Sequence, residues 1–195
     1  MNRLAALSLS RLLLAAALGC LAGCGGGDHG APSPATKLHY ANPPATGYRL
    51  EVDPATNDQT HLVLNLVGPK GTAVQGVAFF LTSEAAKLTW GNPGGSDPFA
   101  KAGNALALGT VPLFKSKQLQ GTGDLQVGIF QTGSAAAVLG STPLVSVALD
   151  LKAGTGVLAG TRLTLTATAG KTSTFLDATG TAQPLTIGLG ELSAQ

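Results

Sequence analysis

From Tyr48 onward the chain is written in short segments that alternate apolar and polar residues, and no other feature restricts its fold as much. Arg162 to Ala169 reads RLTLTATA. A period of two sends successive side chains to opposite faces, which is the signature of a half-buried strand. Tyr48 to Asp53, Leu125 to Gln131 and Leu144 to Leu151 repeat the pattern. His61 to Val67 and Gly76 to Thr82 are more continuously apolar, as inner strands are. Lys87 to Trp90 and Ala105 to Val111 are shorter or weaker strand candidates, and Leu185 to Leu192 closes the chain. The chain holds 27 Gly and 11 Pro, and these fall between the segments, as in the turn Gly68 to Gly71 and the loop Gly91 to Pro98. No sustained helical stripe is present. Ser134 to Leu139 and Glu84 to Lys87 each offer a single helical turn. Eight or nine short strands without helices predict an all-β, antiparallel β-sandwich of the jelly-roll kind over residues 48–195. A domain of that length buries enough surface for one core without disulfides.

The first residues read differently. Arg3 and Arg11 are the only charges before the apolar run LLLAAALGCLAG, Leu12 to Gly23. Twelve helical residues reach roughly 18 Å, short of a hydrocarbon core of about 30 Å. Residues 1–23 therefore read as a secretory signal. Leu21, Ala22, Gly23 and Cys24 resemble a bacterial lipobox. The resemblance implies that Cys24 becomes the first residue and carries acyl chains, palmitate among them, on its thiol and amine. Cys20 is the rival acceptor but lacks the leading Leu. Two or more acyl chains anchor a protein stably to a membrane. Gly25, rather than Asp, follows the cysteine, and in Gram-negative lipoproteins that implies sorting to the outer membrane, on its periplasmic face or at the cell surface.

Residues 24–47 are rich in Gly, Pro, Ala and Thr and read as an acylated cysteine with a flexible linker. His29, His39 and Tyr40 lie in it and read as solvated linker residues. Twelve Lys and Arg against ten Asp and Glu give a net charge of +2. Loss of Arg3 and Arg11 with the signal leaves the remainder formally neutral. That excludes nucleic-acid binding driven by phosphate neutralisation.

The search for chemistry returns little. His61 has no nucleophile motif beside it. Glu51, Glu84 and Glu191 are scattered rather than paired for glycoside hydrolysis. Gly121-Thr122-Gly123 and Gly154-Thr155-Gly156 read as hairpin turns, since neither leads from a strand into a helix. No cofactor or metal is expected. Calcium stays open at the loop residues Asp53, Asn57 and Asp58, although no motif supports it. Trp90, Phe99 and Phe114 are the candidate ligand-binding rings, with the sandwich core as the other place for each.

The order of these segments resembles the cohesin domain, whose fold several carbohydrate-binding modules share. His61 to Val67 with its GPKG turn matches the opening strand. Gly76 to Leu81, the small strand Lys87 to Trp90, Leu144 to Lys152, Arg162 to Ala169 and Leu185 to Leu192 follow in family order. Ser83-Glu84-Ala85 stands where the family has Tyr-Asp-Pro. The resemblance implies a non-catalytic module that binds a protein of the envelope or a secreted protein through a sheet face. Binding of polysaccharide at the cell surface is the alternative, and hydrolysis a distant third.

Overall fold

The computed structural model describes residues 33–133 and 135–195. The expected signal, Cys24 and the first part of the expected linker lie outside the described residues. Sixteen strand segments follow one another: β1 (Leu38–Ala41), β2 (Tyr48–Val52), β3 (His61–Val67), β4 (Ala73–Ser83), β5 (Leu88–Gly91), β6 (Ala100–Ala102), β7 (Leu113–Gln118), β8 (Asp124–Phe130), β9 (Ala137–Val138), β10 (Val145–Leu151), β11 (Arg162–Leu163), β12 (Leu165–Ala167), β13 (Thr174–Asp177), β14 (Ala182–Pro184), β15 (Ile187–Gly188) and β16 (Glu191–Ala194). The number exceeds eight or nine because long alternating runs are shared between sheets and short pairs form inside segments that read as loops.

One sheet of six strands runs β15-β2-β3-β10-β5, with β6 also on β10. A second of seven runs β14-β13-β4-β8-β7, with β12 and β9 on other stretches of β4. Strands β1, β16 and β11 form a third, small sheet. Every pairing is antiparallel except β15 with β2. The period of two decides what faces inward. Leu62, Leu64 and Leu66 of β3 stand opposite Leu149, Val147 and Val145 of β10. Val77, Phe79 and Leu81 of β4 stand opposite Ile129, Val127 and Leu125 of β8. All twelve belong to one buried cluster, so the two large sheets share a single core. The architecture is the all-β sandwich of antiparallel strands that the alternation predicts.

Several local expectations need correction. The sandwich does not begin at residue 48. Strand β1 pairs with β16, and Leu38 and Tyr40 lie in the core at 0% and 1% exposure. Tyr40 is therefore a core residue and not part of a solvated linker. Its hydroxyl accepts the Gly190 amide at 2.6 Å. Burial raises the Tyr40 pKa, and that hydrogen bond offsets part of the rise. A Cβ at Gly190 would run into the Ala41 carbonyl, so glycine there permits β1 to approach. Gly190 also interrupts the expected last strand, Leu185 to Leu192, which divides into β15 on one sheet and β16 on another.

Arg162 to Ala169 divides in the same way, at Thr164. Ala105 to Val111 is a loop held by buried Leu106, and the strand follows it at Leu113. Ala137–Val138 is a strand on β4 rather than part of a helical turn. Glu84 to Lys87 does turn, with the Lys87 amide donating to the Glu84 carbonyl at 2.9 Å. The β13–β14 hairpin is absent from the sequence expectations. Its Asp177 carboxylate accepts from the amides of Thr179 and Thr181, the Thr179 hydroxyl and the Gln183 amide group. These donors hold its pKa down at about 2.

Candidate functional site: the outer face of the seven-stranded sheet

The three candidate rings point inward. Trp90, on β5 opposite Leu149, is 3% exposed, and its Nε1–H donates to the Gly123 carbonyl at 2.7 Å. Gly123 precedes β8, so this ring ties the six-stranded sheet to the neighbouring one. Phe114 and Phe99 are half-buried against the same core. Of the two places open to each ring, Trp90 takes the core, and Phe99 and Phe114 pack partly buried against it. A ring can stack on a sugar only if its face is free, and Trp90 at 3% exposure has no free face.

The candidate carboxylates are not brought together. Glu51 meets Arg49, Glu84 meets Lys87 and Glu191 meets Arg162, at 2.5 Å, 2.6 Å and 2.9 Å. His61 Nδ1 lies 2.5 Å from Asp150 across the β3–β10 pair. In the loop after β2, Asp53 accepts the Ala55 amide at 3.0 Å, Asn57 accepts the Tyr40 amide at 2.9 Å and Asp58 meets His39 at 2.7 Å. Each of the three holds the fold locally instead of converging on one point. Among the described residues no group of three or more His, Cys, Asp or Glu side chains is placed to hold a metal ion. Gly121 and Gly123 lie in the β7–β8 hairpin with φ of 80° and 74°.

The outer faces of the two large sheets differ. On the six-stranded sheet Arg49 meets Glu51, His61 meets Asp150, and the Ser146 hydroxyl meets Asn65 at 2.6 Å, with exposed Lys101 of β6 opposite Ser146 outside these pairs. On the seven-stranded sheet the register places Lys115 beside Gly128 and Ala78, and Lys117 beside Gln126 and Phe80. Phe130 stands between Gly76 and Leu113. Ala78, Phe80, Lys115, Lys117, Gln126 and Gly128 are among the residues that line a shallow depression of about 250 Å³. At roughly 30 Å³ of liquid per water molecule, that is room for a large side chain. Leu113, at the start of β7, is 58% exposed, and Val111 just before it is 74% exposed.

Gly128 distinguishes this face. Glycine inside a strand lowers stability by about 0.5–1 kcal/mol relative to alanine. At Gly76, opposite Phe130 on the same face, packing explains it, because a Cβ would lie 2.7 Å from the Phe130 Cα. Gly128 has no such reason. A Cβ there would meet only Phe130 Cε2, at an ordinary 3.5 Å, and its φ is not positive. The domain's own packing does not call for glycine at this position; strand glycines often mark a bulge, a tight bend or the close approach of a ligand or another backbone. The alternation LQVGIF already puts Gln126, Gly128 and Phe130 on one face. A glycine carries no functional group that singles it out in the sequence, and Leu113 to Gln118 lies outside every expected strand.

No family model matches the chain, and no curated protein matches it. Solved structures do. The sixth cohesin of scaffoldin B from Acetivibrio cellulolyticus, in complex with a Cel5 dockerin mutant, superposes with a TM-score of 0.53 at 19% identity, covering 75% of this chain and 97% of that one. A chain of a type II cohesin–X-dockerin complex from the same organism gives 0.57 at 12% identity, covering 73% and 93%. A chain of a type I cohesin–dockerin complex from Clostridium thermocellum gives 0.50 at 10% identity, covering 84% and 95%. At these identities what the chain shares with them is the fold, and the described residues form a cohesin-like β-sandwich.

Proposed function

We propose that the chain is a non-catalytic, lipid-anchored binding module of the cell envelope that takes a protein partner on the outer face of its seven-stranded sheet. The observation that carries this reading is the depression over Gly128, an interior strand glycine that the domain's own packing does not require. Three solved structures of the same fold come from complexes with dockerins or X-dockerins, which supports a protein as the partner. Anchoring rests on the lipobox-like LAGC at Leu21 to Cys24, and an outer-membrane location rests on Gly25. Polysaccharide binding is the competing outcome. With Trp90 in the core, it loses the ring that best suited it.

Two measurements test the proposal. Cells fed labelled palmitate are expected to label the wild-type chain and not Cys24→Ser; equal labelling of both removes the anchor. The detergent-solubilised chain is then used as bait on envelope and culture-medium fractions, beside Gly128→Val. Valine suits a strand and fills the depression, so the variant is expected to melt no lower than wild type. A protein captured by wild type and lost on Gly128→Val supports the face. Equal capture by both, or capture of polysaccharide alone, overturns it.

A further inference from the structure

The reading of this face as a docking surface can be taken one step further, to the chemistry of what docks. We propose that the partner presents an acidic peptide segment: one large apolar side chain seated over Gly128, with two carboxylates beside it that meet Lys115 and Lys117. The inference rests on the protein-binding reading above.

Lys115 and Lys117 are two residues apart on β7, and both are exposed on the outer face. Their Cα atoms are therefore separated by roughly 6.7 Å, at about 3.3–3.4 Å per strand residue. Neither takes part in the ion pairs formed among the described residues, whose cationic members are His39, Arg49, His61, Lys87 and Arg162. Opposite them on β8 stand Gly128 and Gln126, which carry no charge. Two acids come near. Asp124, farther along β8, accepts the Thr82 hydroxyl at 2.6 Å. Asp97 reaches Ser116, but its oxygens take the amides of Phe99, Ala100 and Ser116 and the Ser116 hydroxyl. From residue 24 onward the chain has ten basic and ten acidic residues. Lys37, Lys70, Lys101, Lys152 and Lys171 also stand outside those ion pairs; what sets Lys115 and Lys117 apart is that they lie two residues apart on one strand face and both line the depression.

Acidic residues four apart on a helix have Cβ atoms about 5–6 Å from one another, close to the lysine spacing. Such a segment leaves an apolar side chain free to enter the depression. A second copy of this chain fits poorly. Antiparallel pairing of two β7 edges about Ser116 sets Lys115 against Lys117, and like charges directly opposite are destabilising. Lysines on an edge strand also deter unwanted strand pairing. That role alone requires nothing of a partner, so the experiment separates the two.

The full chain in detergent is panned against a displayed library of random sixteen-residue peptides, and recovered peptides are measured by titration. The expected result is enrichment of Asp and Glu around one large apolar residue. Affinity should fall at least tenfold on Lys115→Glu/Lys117→Glu and return when the peptide's acids are changed to lysine. Gly128→Val, with Ala78→Val as a second filling variant, should abolish binding of the original peptides. Neutral or basic peptides lost on Gly128→Val but indifferent to the lysine reversal overturn the acidic partner and leave the face standing. Peptides that bind Gly128→Val as well as wild type overturn the face itself. Recovery of no peptide, with polygalacturonate bound by wild type and not by the variants, overturns a peptide partner in favour of an acidic polysaccharide.

Discussion

Trp90→Ala is expected to lower the stability of the domain by about 3–5 kcal/mol, the range for truncating a buried aromatic side chain to alanine. The side chain is 3% exposed in the cluster that both large sheets share. Its loss leaves a cavity between layers that cannot close without breaking strand pairing. The substitution also removes the donor at 2.7 Å from the Gly123 carbonyl. That carbonyl keeps the Ser83 amide at 3.0 Å, so most of the cost is packing. Urea titration followed by circular dichroism measures it. Trp90 is the one tryptophan of the chain, so its fluorescence gives an independent report on the wild type. A loss below 1 kcal/mol would return Trp90 to the surface and reopen a role in ligand binding.

Removal of residues 1–47 is expected to prevent cooperative folding, whereas removal of residues 1–32 is expected to leave it intact. The longer deletion takes away β1 and with it Leu38 and Tyr40, both essentially fully buried. Burial of such side chains is worth about 2–5 kcal/mol each. Together they approach the whole stability of an ordinary domain, about 5–15 kcal/mol. The deletion also strips β16 of its partner along Glu191 to Ala194 and leaves the Gly190 amide without the Tyr40 hydroxyl. Thermal melting of the two products decides the matter. If both melt together, β1 is an ornament of the sandwich and the domain begins at Tyr48 after all.

These two results bear on how much can be read from the chain. The alternating runs reveal strands because a period of two is local: consecutive residues determine it. The runs Tyr48 to Asp53, Leu125 to Gln131 and Leu144 to Leu151 are strands in the structure for that reason. The order of these runs also made the resemblance to cohesins visible, and the fold of the solved cohesins agrees with it. By contrast, β1 is four residues among Gly, Pro, Ala and Thr, and nothing nearby marks it. It exists because β16, some 150 residues later, supplies its hydrogen bonds and Gly190 makes room for the approach.

The same limit applies to the site. Alternation places Gly128, Gln126 and Phe130 on one side of a strand, yet it does not say whether that side meets the core or water. Trp90 beside a Gly- and Pro-rich loop has the sequence context of an exposed ring, but its face is covered by residues from distant strands. The sequence by itself determined the class of fold, the sidedness of the strands with a clear alternation and the lipobox-like segment, since each depends on neighbours along the chain. Only the tertiary structure decided where the domain begins, how single runs divide between sheets, and which face carries a depression lined by Gly128 with two lysines beside it. Those outcomes depend on pairing and burial between residues far apart in the chain, and local pattern carries no record of the partner that does the covering.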